Sequence, residues 1–302
     1  MSISVPPEIF TSATEAASVG QLERAPVANT VTIRGVRLPL DELVNYKLFE
    51  PEQRQRFRDE LLVAKPFPHL VIEGIFNPRL LELVLEEFET LTTGGWLDVK
   101  SRYESFRRSV IGARLGPASQ IYFDIVNSGW FTEWVSSITG RPYLLPDPQL
   151  HGGGLHESRT GASFAIHRDF GRHTESGLIN EMVFITYLNK GWDPTWGSAL
   201  ELWDKKKNAC ITKVQPEFGR SIFMLHGKAS YHGHTDPLNA PDGRPRRSIA
   251  AYYYSSPEAG KPSRDMLNTI FMDRRPIDKA LAVARVLTPP IVWSTIKKVT
   301  GR

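Results

Sequence analysis

The amino-acid sequence predicts an α+β protein, mainly β, in which an all-β barrel or sandwich is flanked by helices. After Gly140 the chain consists of short apolar runs separated by Gly, Pro, Asp and Asn, a texture typical of regularly spaced strands. Before that point, and again beyond Ser256, the apolar residues recur at helical spacing. The sequence contains no internal repeat.

The N-terminal third is predicted to be mostly helical. Residues 1–30 lack clear periodicity and are interpreted as a weakly ordered leader. Residues 38–63 show helical spacing, and residues 66–76 (PFPHLVIEGIF) predict a strand that enters a turn. Residues 79–91 predict an amphipathic helix, because apolar side chains recur every three or four positions. These apolar positions are Leu80, Leu81, Leu83, Val84 and Phe88.

Composition and charge exclude several classes of protein. Of the 302 residues, 41% are hydrophobic and 23% are charged, which excludes wholesale disorder, collagen and coiled coil. The single cysteine, Cys210, cannot form an intramolecular disulfide, and neither a secretory signal nor a transmembrane run is apparent, so we expect a cytoplasmic protein. The net charge of +4 arises in residues 261–302, so no nucleic-acid partner is expected.

Histidines concentrate in the strand-rich part of the chain. Seven of the eight lie in a segment of 84 residues, at positions 151, 156, 167, 173, 226, 232 and 234. Imidazoles clustered on β-strands are typical of a transition-metal site. The alternative is that most of them are structural, with hydrogen bonds in the core or contacts with solvent.

The spacing of His167 and Asp169 predicts a metal site. Residues two apart on a strand share one face, so this nitrogen and this carboxylate can converge on one ion. A third ligand would come from His232 or His234 in the segment SYHGHTDP. Two histidines and one carboxylate leave coordination positions open, as non-haem Fe(II) oxygenases require. The His-x-Asp pattern is weak evidence alone, because it recurs at His234 and Asp236.

A basic strand follows the second histidine segment. Arg246 and Ser248 share one strand face, and Arg247 points to the other. A buried arginine beside a metal would bind a dicarboxylate through its far carboxylate. The alternative is a solvated basic turn formed with Arg244.

Taken together, these segments resemble the prolyl-4-hydroxylase-like branch of the Fe(II)/2-oxoglutarate-dependent dioxygenases. The resemblance covers roughly residues 150–255 and consists of five motifs in the family's order. They are GGGLHESRTGASFAIHRDF, ITYLNKGWDPTWGSALELWD, VQPEFGRSIFM, SYHGHTDP and RRSIAAYYYSS. One departure is Gly197-Ser198, where the family commonly has two glycines.

The resemblance implies specific roles for residues in these motifs. It implies that His167, Asp169 and His232 are the iron ligands, with His232 preferred to His234. It implies that the C5 carboxylate of 2-oxoglutarate is held by Arg246, Ser248 and Tyr187, with Arg247 as an alternative to Arg246. The implied cofactors are Fe(II), 2-oxoglutarate as cosubstrate and O₂, with ascorbate as an optional reductant.

The fold implied by the resemblance is a double-stranded β-helix, or jelly roll, with flanking helices. We expect a leader and helical extension over 1–65, a dioxygenase domain over 66–256 whose jelly-roll core is about 145–256, and a basic helical tail over 257–302. The implied reaction hydroxylates a C–H bond while 2-oxoglutarate becomes succinate and CO₂.

The substrate is expected to be prolyl, amino-acid-like or another small molecule, and the oligomeric state is not predicted. Candidate pocket residues are Trp192, Trp196, His151, His156 and Tyr252. Two alternative functions stay open. One is a metal cupin with different chemistry, such as zinc held by His156, His167 and His232, and the other is a jelly roll that binds carbohydrate or a protein partner without catalysis.

Overall fold

Antiparallel β-sheets dominate the computed structural model, which describes residues 29–258 apart from residue 92. Most of the predicted leader (1–30) and tail (257–302) therefore lies outside the described residues. The α-helices are α1 (Pro51–Val63), α2 (Pro78–Glu87), α3 (Pro117–Val126) and α4 (Gly129–Thr139). The first seven strands are β1 (Thr30–Ile33), β2 (Val36–Pro39), β3 (His69–Ile72), β4 (Trp96–Lys100), β5 (Ser105–Ser109), β6 (Leu145–Pro146) and β7 (Gly154–Ser158). The next seven are β8 (Phe164–His167), β9 (Ile179–Tyr187), β10 (Leu200–Asp204), β11 (Ala209–Val214), β12 (Ser221–Leu225), β13 (Tyr231–His234) and β14 (Arg246–Ser255).

Two sheets build the central part of the fold. The major sheet has the strand order β3-β12-β9-β14-β7-β5-β4, and β6 pairs with β14. The minor sheet has the order β11-β10-β13-β8, and β1 and β2 form a separate hairpin. These pairings are antiparallel. The sheets share an apolar core between them, which confirms the predicted double-stranded β-helix.

Strands β3, β4 and β5 precede residue 145, yet they belong to the major sheet. β3 pairs with β12 at one side, and β5 pairs with β7 at the other. The N-terminal third thus supplies sheet strands in addition to helices. β5 also supplies one wall of the cavity described below.

The helices pack on the outer face of the major sheet. In α2 the apolar positions Leu80, Leu81, Leu83 and Val84 are buried in this outer core, which confirms the predicted amphipathic helix. Pro78 starts the helix, and the side chain of Asn77 accepts a hydrogen bond from the backbone N–H of Arg79 at 2.8 Å.

Period-two alternation on β14 assigns its residues to two environments. Tyr253 and Ile249 belong to the outer core beside the helices, whereas Ala250 belongs to the core between the sheets. The same alternation turns Arg246, Ser248, Ala250 and Tyr252 toward a cavity of about 450 Å³ between the sheets. Among the described residues, no helix has the length and apolar character needed to span a lipid bilayer.

Candidate metal centre and adjoining pocket

Three predicted residues come together at the cavity. His167 ends β8, Asp169 follows it by two residues, and His232 lies on β13 directly opposite His167. One nitrogen or oxygen atom from each side chain lies within 4.8 Å of the others. Asp169 Oδ1 is 3.3 Å from His167 Nε2 and 3.6 Å from His232 Nε2. Two imidazoles and one carboxylate therefore face one point.

Backbone contacts orient both imidazoles. Nδ1 of His167 lies 2.8 Å from the carbonyl oxygen of Ala165, and Nδ1 of His232 lies 3.0 Å from that of Ser230. A carbonyl can only accept, so in each ring Nδ1 carries the proton and donates it. In the neutral ring each Nε2 then holds the lone pair that binds a metal ion, next to Asp169 Oδ1. This is how protein histidines are usually held when they bind a metal.

The electrostatics of Asp169 keep it ionised. Its side chain is 10% exposed, and burial alone would raise the pKa of the carboxyl. The neighbouring histidines, with His232 the largest contributor, outweigh burial and hold the pKa of Asp169 well below its usual range. The carboxylate is thus available as a charged ligand at neutral pH.

The donor set fits a divalent transition metal such as Fe(II). It combines two imidazole nitrogens with one carboxylate oxygen on one side of a point, which is the facial arrangement of non-haem iron sites. The cavity borders all three residues, so the opposite side of that point stays open to small ligands.

His234 and Asp236 do not belong to this group. Nδ1 of His234 contacts the Ser198 hydroxyl at 3.1 Å, and Asp236 forms an ion pair with Lys213 at 2.9 Å. Burial, followed by the positive charge of Arg246, lowers the pKa of His234 well below its usual value, so the ring is neutral. The second His-x-Asp pattern is therefore engaged elsewhere.

The predicted carboxylate-binding residues line the same cavity. Arg246 is 8% exposed, and its Nε donates to the carbonyl oxygen of Ser198 at 3.0 Å. Its guanidinium lies 5.0 Å from the ring centroid of Tyr187, and Ser248 stands directly opposite Tyr187 on β9. Among the described residues, Arg246 forms no ion pair with a carboxylate, and the buried Tyr187 hydroxyl interacts with the Arg246 guanidinium and with no other hydrogen-bonding group. This set can accept the carboxylate of a dicarboxylic acid.

Arg247 points away from the cavity. Its Nε lies 2.9 Å from Glu157 Oε2, and Glu89 provides a second carboxylate partner on the protein's outer side. Arg247 therefore has structural partners, and Arg246 is the arginine of this pair that borders the cavity.

A family model matches the part of the chain that contains these residues. Residues 153–254 match the family model of the 2OG-Fe(II) oxygenase superfamily. This chain carries a 2OG-Fe(II) oxygenase domain. The match confirms the predicted family for this domain, and domains of this family use Fe(II), 2-oxoglutarate and O₂. No curated protein matches the sequence.

Several solved structures are similar to the oxygenase. A Pseudomonas putida prolyl-4-hydroxylase is 15% identical, with a TM-score of 0.47 over 67% of this chain and 98% of that one. A Trichoplax adhaerens prolyl hydroxylase in complex with a hypoxia inducible factor peptide fragment is 16% identical, with a TM-score of 0.46 over 70% and 96%. HygX from Streptomyces hygroscopicus, with nickel, 2-oxoglutarate and hygromycin B bound, is 16% identical, with a TM-score of 0.46 over 72% and 96%.

Two residues outside the metal group lie close to the second carboxylate oxygen of Asp169. The Tyr252 hydroxyl donates to Asp169 Oδ2 at 3.2 Å, and His226 Nε2 lies 3.1 Å from the same oxygen. Tyr252 was a candidate pocket residue, but His226 was missed, because its position 59 residues beyond His167 gives no strand-face relation to either metal motif. Its membership of the histidine cluster was the available signal.

The candidate pocket residues divide into two groups. His151, His156 and Tyr252 line the cavity of the oxygenase. Trp192 and Trp196 instead pack with Leu238 and Ala240 in a separate apolar cluster, so their predicted place in the pocket is wrong. His156 borders the cavity but does not belong to the group formed by His167, Asp169 and His232.

The departure at Gly197-Ser198 has a structural explanation. Gly197 has a φ of +77°, and a Cβ there would lie 2.6 Å from the carbonyl oxygen of Pro237. Ser198 uses its carbonyl oxygen to orient Arg246 and its hydroxyl to contact His234. Of these two contacts, only the one with His234 depends on the serine side chain.

Proposed function

We propose that the protein is a hydroxylase in which His167, Asp169 and His232 bind Fe(II). The observation that carries the proposal is the convergence of His167 Nε2, Asp169 Oδ1 and His232 Nε2 within 4.8 Å at the wall of a cavity. The bound iron, with 2-oxoglutarate, activates O₂ for insertion of one oxygen atom into a substrate C–H bond while 2-oxoglutarate becomes succinate and CO₂.

The protein residues supply position and charge for this reaction. Nδ1–H donation from His167 and His232 to backbone carbonyls keeps both Nε2 lone pairs aimed at the metal. Tyr252 donates to Asp169 Oδ2, which leaves Oδ1 as the oxygen for the metal. Because Asp169 would supply a carboxylate to the iron rather than leave that position to a halide, hydroxylation is the reaction we propose.

Arg246, Ser248 and Tyr187 are proposed to hold the C5 carboxylate of 2-oxoglutarate. Burial lowers the pKa of the Arg246 guanidinium, which is the effect expected for a buried cation that lacks a carboxylate partner. A carboxylate that contacts both Arg246 and the Tyr187 hydroxyl would give each of these buried donors a charged acceptor.

The substrate is proposed to be a small molecule or a peptidyl side chain of the prolyl or amino-acid-like class. A cavity of about 450 Å³ holds 2-oxoglutarate together with a compact group of this kind. The cytoplasm remains the proposed location, since the single cysteine suits a reducing compartment.

Anaerobic titration of the apo-protein with Fe(II) and 2-oxoglutarate tests the proposal. We expect the visible charge-transfer band of iron chelated by 2-oxoglutarate, and succinate after O₂ is admitted. The His167→Ala variant, which keeps the strand but removes one imidazole, should lose both signals. A wild-type protein that binds zinc tightly and gives neither band nor succinate would favour the metal-cupin alternative.

A further inference from the structure

A second arginine, Arg108, lines the cavity at a distance from Arg246. Arg108 lies on β5 directly opposite His156 of β7, and His156 lies directly opposite Ser248 of β14. Ser248 in turn stands opposite Tyr187 of β9. These four cavity-lining side chains form one row across the major sheet. Because neighbouring strands are about 4.8 Å apart, Arg108 lies about 10 Å across the sheet from Ser248.

Arg108 has no carboxylate partner among the described residues. Its neighbour Arg107 forms an ion pair with Glu157 at 2.8 Å. Arg108 forms no ion pair with any residue that the structure describes. The Nη1 atom of Arg108 is buried and has no hydrogen-bond partner. A buried guanidinium nitrogen without an acceptor lowers the stability of the folded protein, unless a bound ligand accepts its hydrogen bond. Arg108 is therefore available to an anion that enters the cavity.

His156 places an unused acceptor beside this cation. Hydrogen bonds to the backbone of Gly152 and Gly153 hold the ring, and Phe106 stacks on it at 5.8 Å. Burial, followed by the charge of Arg108, lowers the pKa of His156 to about 4, so the ring is neutral at physiological pH. Its Nε2 is buried without a partner. Residues directly opposite on paired strands have Cβ atoms about 5 Å apart, so cation and acceptor can meet one small group.

We propose that Arg108 binds the carboxylate of the substrate and that His156 Nε2 accepts a hydrogen bond from its neighbouring amino or hydroxyl group. The substrate class is then a free 2-amino or 2-hydroxy carboxylic acid. This inference rests on the proposed function, because it takes Arg246 as the residue that holds 2-oxoglutarate. A carboxylate suits the site better than a phosphate, since the single guanidinium stands beside a neutral imidazole.

The test uses full-length protein loaded with Fe(II) and 2-oxoglutarate under argon. The probes are the free L-amino acids and their 2-hydroxy analogues, each paired with its carboxamide. Binding is followed by the change in the charge-transfer band, and succinate is then assayed in air. We expect at least one acid to bind, with its carboxamide about 10-fold weaker or more, which is the usual value of a charged hydrogen bond.

The variant Arg108→Gln should remove this preference. We expect the affinity for the acid to fall about 10-fold or more, that for the carboxamide to stay within twofold, and that for 2-oxoglutarate to stay within twofold. Arg108→Lys keeps the positive charge but cannot form two parallel hydrogen bonds to a carboxylate, so the loss of affinity for the acid should be intermediate. This variant also tests the proposal if the glutamine variant does not fold. Arg114→Gln is the matched control, because Arg114 is exposed and lies outside the cavity lining.

Each other outcome has a distinct meaning. If the wild-type protein gives no band and no succinate, the proposed function fails. If both signals are present but no acid binds, or acids and carboxamides bind equally, the carboxylate subsite alone is overturned. A loss of 2-oxoglutarate affinity in Arg108→Gln as large as the loss for the acid would also overturn it, because Arg108 would then belong to the cosubstrate site.

Discussion

His232 lies directly opposite His167 across the β13 and β8 pair, and their ring centroids are 4.6 Å apart. Two residues further on, His234 lies opposite Phe164, because the pairing register shifts between His232 and His234. Both histidines line the same cavity, as residues two apart on a strand do, but the shifted register gives them different neighbours. His232 lies beside Asp169, and His234 lies beside Ser198.

The first prediction compares these two histidines. His232→Ala removes one of three proposed ligands, so Fe(II) affinity and 2-oxoglutarate turnover should fall by about 100-fold or more, beyond the usual cost of losing a supporting contact. His234→Ala should keep Fe(II) binding, because it removes only the contact with Ser198 near the metal group. Metal binding by calorimetry decides the matter, and normal Fe(II) binding in His232→Ala would contradict the ligand assignment.

Substitution of Arg246 should reduce activity, whereas substitution of Arg247 should reduce stability. Arg246→Ala should raise the KM for 2-oxoglutarate about 10- to 100-fold and leave Fe(II) binding intact, because a charged hydrogen bond to the carboxylate is lost. Arg247→Ala should instead cost about 1–3 kcal/mol of unfolding free energy, since Glu157 loses one of its arginine partners but keeps Arg107. Steady-state kinetics and thermal unfolding of both variants are the measurements. The reverse pattern would mean that the cosubstrate residue is Arg247.

Tyr252 and Tyr253 are neighbours on β14 whose side chains lie on opposite faces of the sheet. Tyr252→Phe removes the hydrogen bond to Asp169 Oδ2, so Fe(II) affinity should fall about 10-fold with little loss of stability. Tyr253→Phe removes the 2.7 Å bond to the carbonyl oxygen of Val126 in the outer core, which should cost about 1–2 kcal/mol and leave Fe(II) affinity unchanged. Isothermal titration and urea unfolding of both variants test this, and equal Fe(II) affinities in the two would refute the support role of Tyr252.

Glu157 should make stability depend on acid pH. Burial raises the pKa of this carboxyl, but Arg107, Arg247 and Arg159 outweigh burial and hold the pKa below its ordinary value of 4.5. The folded state therefore binds the proton less readily than the unfolded state. The stabilisation is fully present above pH 4.5 and is lost as the pH falls through the lower folded pKa.

Glu157→Gln removes this dependence. The unfolding free energy of the wild type should exceed that of the variant at neutral pH, and the difference should shrink as the pH falls from about 6 to about 3. Urea unfolding across this range is the measurement. Glu52→Gln on α1 is the control, because the Glu52 side chain is exposed to solvent. A difference that stays constant down to about pH 3 would show that the arginine cluster does not depress this pKa.

Much of the fold could be predicted because its signals are local. Apolar spacing within α2 and the alternation along β14 depend on neighbouring positions in the chain, and the structure bears out both. The same rule put Arg246 and Ser248 on one face and Arg247 on the other. The misplacement of Trp192 and Trp196 has the opposite cause. Residue type suggested a pocket, but the loop carrying them packs on Leu238.

The sequence by itself determined the strand that ends at His167, the side on which each β14 residue emerges, and the family of the domain. It also predicted Asp169 on that strand, but Asp169 lies two residues beyond its end. Only the tertiary structure decided between the environments of His232 and His234, brought His226 to Asp169, and set Arg108 beside His156. These relationships join residues far apart in the chain, such as His167 and His232, which are 65 positions apart, and depend on how strands pair in register. Periodicity along one strand states which face a residue occupies, but it contains no information about what the neighbouring strand places opposite.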